Sequence, residues 1–243
     1  MVYQKCTKVL GKNKASPEEV KMKFEELSKT LKKSLELEDS PVGVKLIKVG
    51  EDLSEIAEQA QPMQYCASVL RARKGETILL GKDKHSCKLG AAILGLINMP
   101  GNFSSGEAHS KVGLFSSPAA ASKTISEIPK IAPETMRATL VFPLEKAPVE
   151  PEVILVEVKP RQALWIALAL NYNNGGRLSC SFAGIGCTCG DATVVPYLRN
   201  TPNFTIGDFG GRMLRGPEYM IMGLPATRLE EVANSLEKLG CPR

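Results

Sequence analysis

The stretch VILVEVKPRQALWIALAL, residues 153–170, decides the fold class. Val153–Val158 is rich in β-branched residues and reads as a strand. Pro160 stands where a helix begins, a position at which its missing N–H costs nothing, and Pro160–Leu170 reads as that helix. The same order of strand, proline and helix recurs at Lys111–Phe115 with Pro118–Ile128, and at Tyr219–Leu224 with Pro225–Leu239. The proline-to-proline intervals, 42 and 65 residues, are too irregular for a solenoid. Thr227 with Glu230 forms a capping-box pattern in the last unit, and Gly240 supplies its stop.

Working outward, Ala138–Leu144 and Leu178–Phe182 read as further strands. Upstream, Ser16-Pro17-Glu18-Glu19 is a helix start, with Ser16 as cap and Glu19 completing a capping box. Phe24, Leu27, Leu31 and Leu35 follow at spacings of three and four, one apolar stripe, and Asp39-Ser40-Pro41 breaks the helix. Val42–Val49 reads as a strand, Leu53–Gln59 as a short helix, Gln64–Arg73 as a helix with Cys66 near its start, and Thr77–Leu80 as a strand. Cys87–Ile97 reads as a buried helix opening with a cysteine. These elements predict an α+β domain (mixed α/β), a mixed β-sheet covered by helices, over residues 16–243. Residues 1–15 are expected to be a mobile Lys-rich extension. The loop MPGNFSSG, residues 99–106, is the candidate sub-boundary.

The chain has 243 residues, 43% hydrophobic and 23% charged, a globular composition that excludes disorder and fibre. Its longest apolar run, Ala163–Leu170, is far short of the about 20 residues that a membrane span needs. The N-terminus has positive charge but no apolar stretch behind it, so no secretory signal is expected. A cytoplasmic location, with reduced thiols, follows, and seven cysteines, an odd number, argue against a complete disulfide framework. Residues 1–48 hold 11 Lys against 7 acids, most of the chain's +5 charge, and read as a solvated helix face. With only Tyr3 and Phe24 among them, a nucleic-acid platform is not expected.

Cysteine carries the chemistry. Cys180, Cys187 and Cys189 form C-x6-C-x-C within LSCSFAGIGCTCGDA, while Cys66 and Cys87 stand apart. Four converging thiolates are the usual shell for zinc or an iron–sulfur cluster. The absence of C-x2-C disfavours a zinc ribbon, whereas a cluster accepts ligands gathered from distant loops. Gly184, Gly186 and Gly190 would let the backbone approach a bulky group, and Asp191 is placed to cap a helix starting at Ala192. His85 and His109 are candidate ligands or proton donors. Gly210, Gly211 and Arg212, in GDFGGR, form a second candidate site, a backbone nest for an anion with an arginine clamp. No G-x-S-x-G, H-E-x-x-H, Walker loop or G-x-G-x-x-G is present, against the commonest hydrolases and nucleotide enzymes.

The runs SPVGVKLI, YCASVLRARKGETILL, HSCKLGAAILGL, GRLSCSFAGIGCTCGDATVVPYL and PNFTIGDFGGR resemble the uncharacterised archaeal cysteine-rich (ArCR) family, a domain of unknown function. The resemblance spans about residues 24–240. It implies a protein of anaerobic organisms and a site rather than a reaction. The family's cysteine pattern maps onto Cys66, Cys87 and Cys189. Some members carry Cys where this chain has Asp208, which implies a different fourth ligand here.

The expectation is an iron–sulfur protein of anaerobic metabolism, with a 4Fe–4S cluster on Cys66, Cys87, Cys187 and Cys189, acting in electron transfer or ligand presentation. A redox partner protein or a small anionic ligand is its expected counterpart, and a homo-oligomer is open. Two alternatives stand beside it. One is a non-catalytic module binding a small anion at Arg212, with buried structural cysteines. The other is a thiol redox protein cycling Cys187 and Cys189, a strained pairing.

Overall fold

The computed structural model describes residues 16–51, 55–207 and 216–240. Helix α1 (Pro17–Leu35) opens on the expected capping box. The Ser16 hydroxyl accepts from the Glu19 N–H, and the Glu19 carboxylate accepts from the Ser16 N–H. Phe24, Leu31 and Leu35 lie buried on its inner stripe.

Six strands form one sheet: β1 (Val42–Lys48), β2 (Ile78–Gly81), β3 (Met136–Pro143), β4 (Val153–Val158), β5 (Asn203–Thr205) and β6 (Met220–Pro225). Their order is β2-β3-β1-β4-β6-β5. The class is α+β. Every pairing in the sheet is antiparallel, so the strand–proline–helix units are not parallel crossovers. After β4 the chain passes through several further elements, α8 (Val195–Arg199) among them, before reaching its neighbour β6.

Both faces of the sheet are covered, which explains apolar strands without strict alternation. One face packs Ile47, Leu140, Phe142, Ile154 and Val156 against α1, α7 (Pro160–Asn171) and α9 (Leu229–Leu239). The other packs Val44, Leu46, Val153 and Leu155 against α2 (Tyr65–Arg73), α3 (Lys88–Ile93), α6 (Pro118–Glu127) and a π-helix, Cys187–Val194. This second face carries the cysteines.

Several local expectations are corrected. Lys111–Phe115 is not a strand: α5 (Glu107–Lys111) ends there and Gly113, at φ 76, turns the chain. Leu178–Phe182 is not a strand either. The Asn203 side chain accepts from the Ser181 N–H and donates to the Ser181 carbonyl, taking the place of a strand partner. Helix α3 stops at Ile93, four residues early, because Gly95 adopts φ 76. Of the helical candidate 53–59, the described residues 55–59 form a turn and a bridge from Gln59 to Leu79. The Gln59 side chain there accepts from the Gly81 N–H and covers the edge of β2. Thr227 does not cap α9; its hydroxyl donates to the Asn200 side chain, while Gly240 ends the helix as expected. Over residues 99–106, α4 (Gly101–Ser104) is tied to α6 by the Ser122 hydroxyl, which donates to the Ser104 carbonyl. No helix among the described residues is long and apolar enough to cross a membrane.

Candidate functional site

Three elements bring one cysteine each to the same place. Cys66 is the second residue of α2, Cys87 is the cap residue of α3, and Cys189 sits in the first turn of the π-helix. All three line a cavity of about 430 Å³ between these elements and α4–α5. The Cys87 and Cys189 sulfurs lie 3.5 and 3.7 Å from the point that a Cβ on Gly90 would occupy. A glycine there keeps the space between them clear.

The sulfurs are held by their own elements. Cys87 Sγ accepts from the Gly90 N–H at 3.3 Å, a thiol doing the work of a capping hydroxyl. Cys66 Sγ donates to the Gln64 side-chain carbonyl at 3.4 Å, and Cys189 Sγ to the Gly186 carbonyl at 3.6 Å. None of the five described cysteines is in a disulfide.

The π-helix is the least ordinary element. Such turns are rare and are frequent at functional sites. All eight of its residues are buried. It is tied to α2 by the Tyr65 hydroxyl and Thr193 Oγ1, 2.9 Å apart, and closed internally by Thr193 Oγ1 donating to the Thr188 carbonyl at 2.7 Å. Burial pushes the Tyr65 phenol above its ordinary value, so it stays protonated. From the other side, β5 holds it: Asn203 Nδ2 donates to the Asp191 carbonyl and Thr205 Oγ1 to the Asp191 carboxylate.

The family model described as uncharacterised ArCR matches residues 30–235. This chain belongs to the ArCR family. The uncharacterized protein MJ0308 of Methanocaldococcus jannaschii is 34% identical to it over 224 residues, 89% of this chain and 96% of that protein. No solved structure matches.

In this ArCR protein the other expected site residues are distributed as follows. Cys187 is fully buried and does not line the cavity. Residues two apart on a helix do not face each other, so a helical C-x-C cannot bring both sulfurs to one side. Cys180 is half-buried and also off the cavity. Gly186 lines it in a left-handed conformation, φ 67. Gly190 instead admits Ile128, whose Cγ2 lies 2.8 Å from where a Cβ would be, and Gly184 has open space around it. Asp191 is not a helix cap but lies inside the π-helix, 3% exposed. Gly210, Gly211, Arg212, Asp208, Cys6 and Cys241 lie outside the described residues.

His109 lines the cavity, its ring set against Phe103 and Phe115 with centroids 5.6 and 6.4 Å away. Burial lowers its pKa, which favours neutral imidazole. His85 is 1% exposed and lies off the cavity. Desolvation pushes its pKa down to about 4, against an opposing contact of its Nε2 with the Leu80 carbonyl at 3.3 Å.

Sequence reading missed Tyr65, Thr188 and the roof formed by Phe103, Val112 and Leu114. Thr188 had one available signal, its place between two cysteines. The roof residues had none, because they fall in a segment that reads as boundary and strand. Among the described residues, no three His, Cys, Asp or Glu side chains stand close enough to grip one metal ion.

Proposed function

We propose that this ArCR protein is an iron–sulfur protein whose Cys66, Cys87 and Cys189 hold a 4Fe–4S cluster, with one iron left for a small ligand. The observation that supports this reading is the meeting of three thiols, from three elements, on one cavity of about 430 Å³. A single ion needs all its sulfurs within ~2.3 Å of one point, whereas a cluster spreads its ligands over several atoms. The donor set also suits it, since thiolates are the usual cluster ligands.

The cluster would supply one-electron chemistry or a Lewis-acidic iron. The chain's own residues do the rest. Gly90 leaves room between two sulfurs, and the Gly90 N–H holds Cys87 in place. Leu89, Ile185 and Phe103 give the cavity beside the thiols an apolar lining. The Tyr65–Thr193 hydrogen bond locks the Cys66 helix to the Cys189 helix. This reading places the protein in a reducing cytoplasm, with a redox partner protein when it acts in electron transfer.

The test is full-length protein made without oxygen, analysed for iron, sulfide and visible absorption. About four of each per chain are expected. Cys66→Ser, Cys87→Ser and Cys189→Ser should each lower both, while Cys180→Ser should not. Protein lacking iron and sulfide even after anaerobic reconstitution refutes the proposal.

A further inference from the structure

The cavity over the thiols has a character of its own. Among the described residues no Asp, Glu, Lys or Arg lines it, and its apolar walls are Leu89, Phe103, Val112, Leu114 and Ile185. Two of its lining residues each carry a buried side-chain atom with no hydrogen-bond partner among the described residues: Thr188 Oγ1, on a residue 1% exposed, and His109 Nδ1. Buried polar groups are nearly always satisfied, so two such atoms on one cavity call for an explanation.

We propose that the cavity binds an uncharged, compact, largely apolar small molecule whose one hydrogen-bonding group is taken by Thr188 and His109. A threonine hydroxyl both donates and accepts, and a neutral imidazole carries one donor and one acceptor, so the pair can serve a hydroxyl or a carbonyl. The flanking rings of Phe103 and Phe115 fix the imidazole plane. A carboxylate, phosphate or ammonium would lose its water here and meet no opposite charge among the described lining residues. The walls, in contrast, reward an apolar body. The inference deepens the reading above by naming the class of ligand, but it needs the cavity and not the iron, so the two can fail separately.

The experiment uses full-length protein prepared without oxygen, with iron and sulfide measured on the same sample. Benzyl alcohol, toluene and benzoate are titrated by saturation-transfer NMR. Benzyl alcohol should bind about three- to tenfold more tightly than toluene, the gain of a net hydrogen bond. Benzoate should bind at least about tenfold more weakly than the alcohol. Thr188→Val and His109→Phe should each shrink the preference for the alcohol and leave toluene unchanged. Leu114→Trp, at a half-exposed position on the cavity wall, should weaken all three probes and serves if either polar variant fails to fold. Benzoate matching the alcohol, a preference that survives in both polar variants, no binding of any probe, or binding indifferent to Leu114→Trp overturns the inference. The preference in a sample without iron and sulfide removes the cluster and keeps the ligand class. A sample with cluster but no preference does the reverse.

Discussion

Cys87 and Cys189, from distant parts of the chain, place their sulfurs 3.5 and 3.7 Å from one point beside Gly90. That point is where a side chain at residue 90 would begin. The relationship makes the glycine a direct probe of whether the two thiols act together. Gly90→Ala should leave folding intact, since both contacts are ordinary and alanine favours a helix by about 0.5–1 kcal/mol. The same methyl should lower iron incorporation. Melting temperature and iron per chain check the pair of outcomes, and a variant that loads iron like the parent shows that the space between the sulfurs is not used.

Gly223 on β6 lies against the π-helix, and a Cβ there would run into the Ala192 carbonyl. The obstacle is backbone and cannot swing aside. Gly223→Ala should destabilise by about 1–3 kcal/mol, as overpacking does, and displace the helix that carries Cys189. Urea unfolding measures the first effect, and the near-ultraviolet circular dichroism spectrum the second.

Arg73 pairs with Glu157, whose side chain is only 6% exposed, and with Asp39, 3.1 Å from its Nε. Removing Arg73 takes the counter-charge from a carboxylate in a poorly hydrated place, whereas removing Glu157 leaves Arg73 its pair with Asp39. Arg73→Met should therefore cost about 3–5 kcal/mol, and the double variant with Glu157→Ala should recover part of it. A double-mutant cycle in urea decides this, and strict additivity would mean that the pair is not coupled.

His85 gives stability a pH dependence. Its ordinary pKa of 6.5 is pushed down to about 4 in the folded protein by burial. Between those values the unfolded chain holds the extra proton, so stability rises with pH across that window. The contribution is full above 6.5 and is lost as pH falls toward 4, by about 3 kcal/mol in all. His85→Gln should flatten the slope of unfolding free energy against pH between those limits. An unchanged slope would show that other groups carry it.

Much of the secondary structure was legible because its signals are local. The Ser16–Glu19 box, the Pro118 and Pro160 helix starts and the Gly240 stop each act within a few residues, and each stands as expected. The failures are places where a distant residue took over. Asn203 satisfies Ser181 in place of a strand, and Asn200 takes the Thr227 hydroxyl away from its helix. Gly95 and Gly113 were visible, but glycine does not announce that it will take a positive φ.

By itself the sequence determined most element types, the α+β class and the set of thiols available for chemistry, since these follow from composition and short-range pattern. The tertiary structure alone decided that Cys66, Cys87 and Cys189 share a cavity that Cys187 does not line. Three separate elements must pack on one sheet face before those sulfurs meet. The winding of residues 187–194 into a π-helix then sends adjacent members of C-x-C to different sides, a consequence of long-range packing that no spacing rule contains.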